Sequence, residues 1–136
     1  MAPLARAHAT LRITHDEATS SDVTTRLGLA PTDAHDHGDL RPRNLPPWRN
    51  MQWSLSSGPT DSRPLSDHLK TLLNQVEPVA EAVHQLASDD SMMDWFCFLD
   101  VEGGQGGEAL EPDLLARLGA LPIALSLDFY TGGDDR

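Results

Sequence analysis

A single cysteine, Cys97, rules out a disulfide within this 136-residue chain and suits a reducing compartment. No apolar run approaches the ~20 residues that a membrane-spanning helix needs. The opening Met1-Ala2-Pro3-Leu4-Ala5-Arg6 lacks the apolar stretch of a secretory signal, so a cytoplasmic protein is expected. Basic residues are few, 10 Lys and Arg against 21 Asp and Glu, for a formal charge of −11. Such a surface repels nucleic acid and anionic membrane, and it steers a basic partner inward or serves solubility. Catalytic signatures are missing as well. There is no Gly-x-Ser-x-Gly elbow, no zinc-protease helix motif and no Gly-Lys-Ser/Thr phosphate loop.

What is present is an ordinary globular composition, 39% hydrophobic and 23% charged, long enough for one domain over 1–136 with a core of its own. Within it a short pattern occurs twice. Asp22, Arg26, Leu27, Gly28 and Pro31 recur with identical spacing as Asp113, Arg117, Leu118, Gly119 and Pro122. Each copy reads as a short amphipathic helix after an alternating strand, which predicts two related halves around one sheet.

Residues 7–14 alternate, with Ala7, Ala9, Leu11 and Ile13 on one face and His8, Thr10, Arg12 and Thr14 on the other. Ser20 or Ser21 offers an N-cap and Gly28 a stop for the first helix. Residues 33–50 read as a long Pro- and Arg-rich loop. A second strand sets Met51, Trp53 and Leu55 against Gln52, Ser54 and Ser56. Leu69 to Ala87 keeps a helical stripe that Pro78 kinks or divides, with Ser66 as its cap. Trp95, Cys97 and Leu99 alternate with Phe96 and Phe98 in the most strand-like stretch, and a glycine-rich turn over 103–107 follows. A final strand directs Ile123, Leu125, Leu127 and Phe129 inward, and 131–136 is a polar tail. The fold expected is α+β. It is a single layer of mixed or antiparallel sheet with helices on one face, a ferredoxin-like-related β-α-β-α-β-α-β order with a pseudo-two-fold repeat. One sheet face is then left without helices.

The candidate chemistry is thin. His35 and His37 alternate around Asp36, yet no third fixed metal ligand is evident and the segment reads as a polar loop. Cys97, mid-strand between phenylalanines, reads as a small buried hydrophobe. The glycine-rich turn sits among Asp100, Glu102, Glu108 and Glu111, which repel phosphate. Arg41, Arg43 and Arg49, interleaved with Pro46, Pro47 and Trp48, form the one basic island. They either clamp an anionic group or balance the chain's own carboxylates. No cofactor and no catalytic residue is expected.

Several pieces run in order along almost the whole chain: Ala9-Thr10-Leu11-Arg12-Ile13-Thr14, Arg26 to Thr32, Gly38-Asp39, Trp53-Ser54-Leu55, His68 to Leu73, Glu77-Pro78, Phe96 to Leu99, Gly104 to Gly107 and Leu127 to Tyr130. Through this ordered set the chain resembles a bacterial family catalogued only as domain of unknown function 4279. It departs from that family at His35-Asp36-His37, where the family tends toward an aromatic residue and a lysine before the glycine. The resemblance implies a fold and brings no catalytic role with it.

The expectation is a non-enzymatic protein-binding module, most concretely an immunity or antitoxin-type inhibitor of a basic partner. The alternative is a small-ligand sensor or regulatory module acting as a homodimer, with Arg12, Trp53 and Asp128 lining a crevice between the halves. Contact candidates are Arg12, Arg41, Arg43, Trp48, Trp53, Phe96, Phe98, Asp128 and Tyr130.

Overall fold

The computed structural model of the chain describes residues 4–131. Met1 to Pro3 of the opening segment and all of the expected polar tail except Thr131 lie outside the described residues. The elements run β1 (Arg6–His15), α1 (Ser20–Leu27), β2 (Asp33–His35), β3 (Met51–Ser56), α2 (Leu65–Val76), a 3-10 turn (Glu77–Val79), α3 (Ala80–Ser88), β4 (Met92–Val101), α4 (Pro112–Gly119) and β5 (Ala124–Thr131). The strands form one mixed sheet in the order β2-β3-β1-β4-β5. Pairing is antiparallel except between β4 and β5. This is the expected α+β class with a single sheet.

Alternation decides which face is covered. Ala7, Ala9, Leu11 and Ile13 of β1 are fully buried, with Trp53 of β3 and Trp95 and Cys97 of β4 beside them. They join Val23 and Leu27 of α1, Leu69, Leu72, Leu73 and Val76 of α2, Val83 and Leu86 of α3, and Leu114 and Leu118 of α4 in one cluster. All the helices therefore lie on the same side of the sheet. Trp53 packs under α1, where its Nε1–H donates to Thr24 Oγ1 at 3.0 Å. This places Trp53 in the core and removes it from the set of contact residues.

The helix ends depart from the sequence reading in instructive ways. α1 is capped by Thr19 in a reciprocal capping box with Asp22, one residue before the expected serines. α2 begins at Leu65 after Pro64, and Ser66 does not cap it. Instead Glu108, remote in sequence, accepts the backbone N–H groups of Leu65 and Ser66 at 2.6 and 2.7 Å. A carboxylate there satisfies two orphan donors and complements the helix dipole. Pro78 divides the long helical stripe at the 3-10 turn.

Residues 33–35 are not loop; they form the edge strand β2. That short strand explains the repeat. Carried two residues past Pro31 and Pro122, the shared spacing reaches Asp33 and Ala124, the first residues of β2 and β5. β1 and β2 both run antiparallel to β3, so they are parallel to each other, as β4 and β5 are. The twin units are thus β1-α1-β2 and β4-α4-β5, with β3 inserted into the first. The repeated arginines do matching work. Arg26 reaches Asp89 just after α3 at 2.7 Å, and Arg117 reaches Glu77 just after α2 at 2.7 Å, so each outer helix is tied to the central helical pair.

β5 brings a second correction. Leu125, Leu127 and Phe129 do face the helix side, opposite Trp95, Cys97 and Leu99 in register. They are nevertheless 41%, 48% and 60% exposed, because α4 packs against α2 and leaves this edge strand bare.

The repeated glycines are not equivalent. Gly28 closes α1 in the left-handed region, φ 70°, while Gly119 is the last residue of α4 and has open space around it. Gly28→Ala should destabilise the protein by about 1 kcal/mol. Gly119→Ala should leave stability unchanged or raise it by up to about 1 kcal/mol. Urea denaturation of the two variants checks this, and equal losses would contradict the assignment.

Candidate binding site on the open sheet face

The side chains that alternate away from the helices make a surface crossing all five strands. Thr10, Arg12 and Thr14 come from β1, His35 from β2, Gln52 from β3, Asp94, Phe96 and Phe98 from β4, and Ser126 and Asp128 from β5, all half-buried. At its centre Arg12 Nε donates to Asp94 Oδ1 at 2.8 Å and the second guanidinium nitrogen reaches Oδ2. The guanidinium also lies 4.1 Å from the centre of the Phe96 ring. Ser126 Oγ–H donates to Asp94 at 2.8 Å. Further along, Phe98 and Tyr130 pack with ring centres 4.9 Å apart, and Arg6 pairs with Asp100 at 2.9 Å. The face is therefore aromatic and hydrogen-bonding, with its central charges already matched.

Two concavities open on it and share Thr14 and Gln52. The first, about 600 Å³, is lined by Arg12, Asp94, Met92, Met93 and Ser126 together with the start of β5. The second, about 470 Å³, lies toward the β2 edge between Gln52 and the segment that follows β2. That segment is a closed excursion. Gly38 N–H donates to the Trp48 carbonyl at 2.7 Å and Trp48 N–H to the Asp39 carbonyl at 3.0 Å, which pins 40–47 as a loop. Trp48 then stacks on His35 at 3.7 Å between ring centres and nearly parallel, and Arg41 lies 4.1 Å from the centre of the Trp48 ring.

The sequence candidates fall accordingly. Arg12, Phe96, Phe98, Asp128 and Tyr130 share the open face, while Arg41 and Trp48 form its wall at the β2 edge. Arg43 stands at the exposed loop tip. The crevice predicted from Arg12, Trp53 and Asp128 lacks Trp53, which points to the other side of the sheet. His35 is committed to its stack with Trp48 and His37 is exposed. Among the described residues no group of three or more His, Cys, Asp or Glu could hold a metal ion.

Sequence reasoning missed one polar constellation. His68 of α2 is fully buried, with Nδ1 2.7 Å from Ser57 Oγ and Nε2 3.0 Å from Asp61 Oδ1. One proton assignment satisfies all three groups. Ala9 N–H donates to Ser57 Oγ, the hydroxyl donates to Nδ1, and Nε2–H donates to the carboxylate. The residue types are those of a nucleophilic triad, but Ser57 is itself buried and its oxygen is taken. The relay ties the 57–61 turn, which bridges to Ala7 of β1, onto α2. No spacing in the sequence could reveal it, because His68 lies on the apolar stripe of its helix and reads as one more core position. On the open face beside it, burial and then the neighbouring His68 hold the His8 imidazole below its ordinary pKa.

The chain belongs to the family described as domain of unknown function (DUF4279), whose model matches residues 5–132. No curated protein and no solved structure matches it.

Two measurements probe the face and the strand beneath it. Burial works against ionisation of Asp94, but the bonds from Arg12 and Ser126 outweigh it and hold the carboxyl below the ordinary range. The stabilisation is then complete above the unfolded pKa of about 3.9 and is lost as pH falls through the lower folded value. Asp94→Asn should cost about 1–2 kcal/mol at neutral pH, with the deficit shrinking below about pH 4. Urea titrations across that range read it. Beneath, burial and then Asp94 push the Cys97 thiol up to about 12. It should resist a thiol reagent near pH 8 in the native state and react on unfolding.

Proposed function

We propose that the chain is a non-enzymatic protein-binding module, of the immunity or antitoxin type, that holds a basic partner on the open face of its sheet. The observation that carries this reading is the face itself. It crosses all five strands without helical cover and presents Phe96 and the Phe98–Tyr130 pair among matched charges. A partner that buries these rings meets the Arg12–Asp94 and Arg6–Asp100 pairs with their charges matched, and one of its own cations can pair with Asp128 beside Phe98. The carboxylates of Asp22, Asp67, Glu81 and Asp113 stand on the helices instead, within a chain of net charge −11. Their summed field draws in a basic protein over distance, and the aromatic anchors then slow its release. A buried lone cysteine accords with a cytoplasmic setting, and no helix of the described residues is long and apolar enough to cross a membrane.

A second reading, a small-ligand sensor or regulatory module acting as a homodimer, draws support from the concavity of about 600 Å³ around Arg12 and Asp94. Affinity capture from the source cell separates the two. The binding-module reading expects a basic protein whose retention weakens with salt and falls more than about tenfold in a Phe98→Lys variant of unchanged Tm. Capture of no protein, or capture indifferent to Phe98, would count against it. A metabolite that raises Tm in a dose-dependent way would favour the sensor.

A further inference from the structure

The described arginines of this acidic chain divide into two sets. Arg6, Arg12, Arg26, Arg63 and Arg117 each meet a carboxylate. Among the described residues Arg41, Arg43 and Arg49 meet none, although acids outnumber bases two to one and two aspartates lie close by in the same segment. Those aspartates are spent elsewhere. Asp36 accepts from the backbone N–H and hydroxyl of Ser20 at 2.7 Å each, anchoring the segment to α1. Asp39 accepts from Asp36 N–H at 2.8 Å and closes the turn. The carboxylates thus hold backbone and the guanidiniums are left over.

Arg41 and Arg49 both line the concavity of about 470 Å³ beside β2. Thr14, Asn50 and Gln52 add neutral hydrogen-bonding groups, and Pro46, Pro47 and Met51 add apolar surface. Trp48 fixes Arg41 by its ring, so that side chain is partly ordered before any ligand arrives. Two cations facing one concavity without a counter-charge repel each other, and a bound anion removes that repulsion.

We propose that this concavity is a binding site for a small anion, a carboxylate or phosphate group on a short apolar body, gripped by Arg41 and Arg49. The concavity opens on the β2 side of the same face, but an anion site there and capture of a basic partner are independent, and either holds without the other. Its volume of about 470 Å³ fits a small metabolite.

The test follows the Trp48 indole N–H by NMR in the intact chain, assigned with Trp48→Phe, during titration with butyrate, butyramide and inorganic phosphate. The expected result is a saturable shift with butyrate, phosphate or both, weakened by added salt and absent with the neutral amide. Butyrate and phosphate separate the two ligand sources. Arg41→Gln/Arg49→Gln should weaken binding about tenfold or more, the scale of a lost charge-assisted bond. Arg43→Gln, at the tip and outside the concavity, should leave it unchanged. The buried Trp53 and Trp95 indole resonances report that each variant is folded. Absence of a saturable shift with both anions would overturn the proposal, as would equal effects of butyrate and butyramide, or a folded double variant that binds like the parent.

Discussion

The structure depends on β1 being held on three sides at once. It pairs with β3 on one edge and β4 on the other, and α2 lies across its alanine-and-aliphatic face. Ala7 and Ala9 leave room where the first turns of α2 approach, and the buried His68 secures that approach through Ser57 and Asp61. A one-residue slip of β1 would move Ala7, Ala9, Leu11 and Ile13 out of the core and Arg12 into it. The same alternation that fixes the register therefore also decides that Arg12 meets Asp94 and Phe96 on the outside.

Acidity in this chain is partly architecture. Asp22 and Glu108 serve helix N-termini, Asp36 anchors a long loop, and Glu77 and Asp89 receive the arginines of the repeated helices. Exposed pairs such as the last two contribute little each, and their value lies in setting the outer helices against the central pair. With so many carboxylates engaged in holding the backbone, the loop beside β2 carries its cations uncompensated. Charge balance over the whole chain and charge balance at one site are different matters here.

Much of this was legible in the sequence, and the failures share a cause. Strands at 6–15, 51–56, 92–101 and 124–131 follow from period-two alternation, and the double pattern around Arg-Leu-Gly marks a real pair of βαβ units. Asp33-Ala34-His35 gives no strand signal in the sequence because a three-residue edge strand is too short to show a period. Its pairing with β3, which no local signal records, makes it a strand. A crevice between the halves lined by Trp53 conflicts with that residue's own alternation, which sets it with Met51 and Leu55 on the covered side, away from Gln52 and Arg12. Leu125, Leu127 and Phe129 carry the pattern of a covered strand yet stand exposed, because pattern cannot report how far a neighbouring helix extends.

By itself the sequence determined which side of the four longer strands is oily, where the long helical stripe divides at Pro78, and the family to which the chain belongs. Those are properties of neighbours a few residues apart, and they survive without knowledge of the fold. The tertiary structure alone decided that Glu108 caps α2, that Ser57, His68 and Asp61 meet in the interior, and that Arg41 and Arg49 face one hollow without a carboxylate between them. Each of these joins groups whose separation along the chain carries no period or propensity. Only the closing of the sheet brings them within hydrogen-bonding or Coulombic reach.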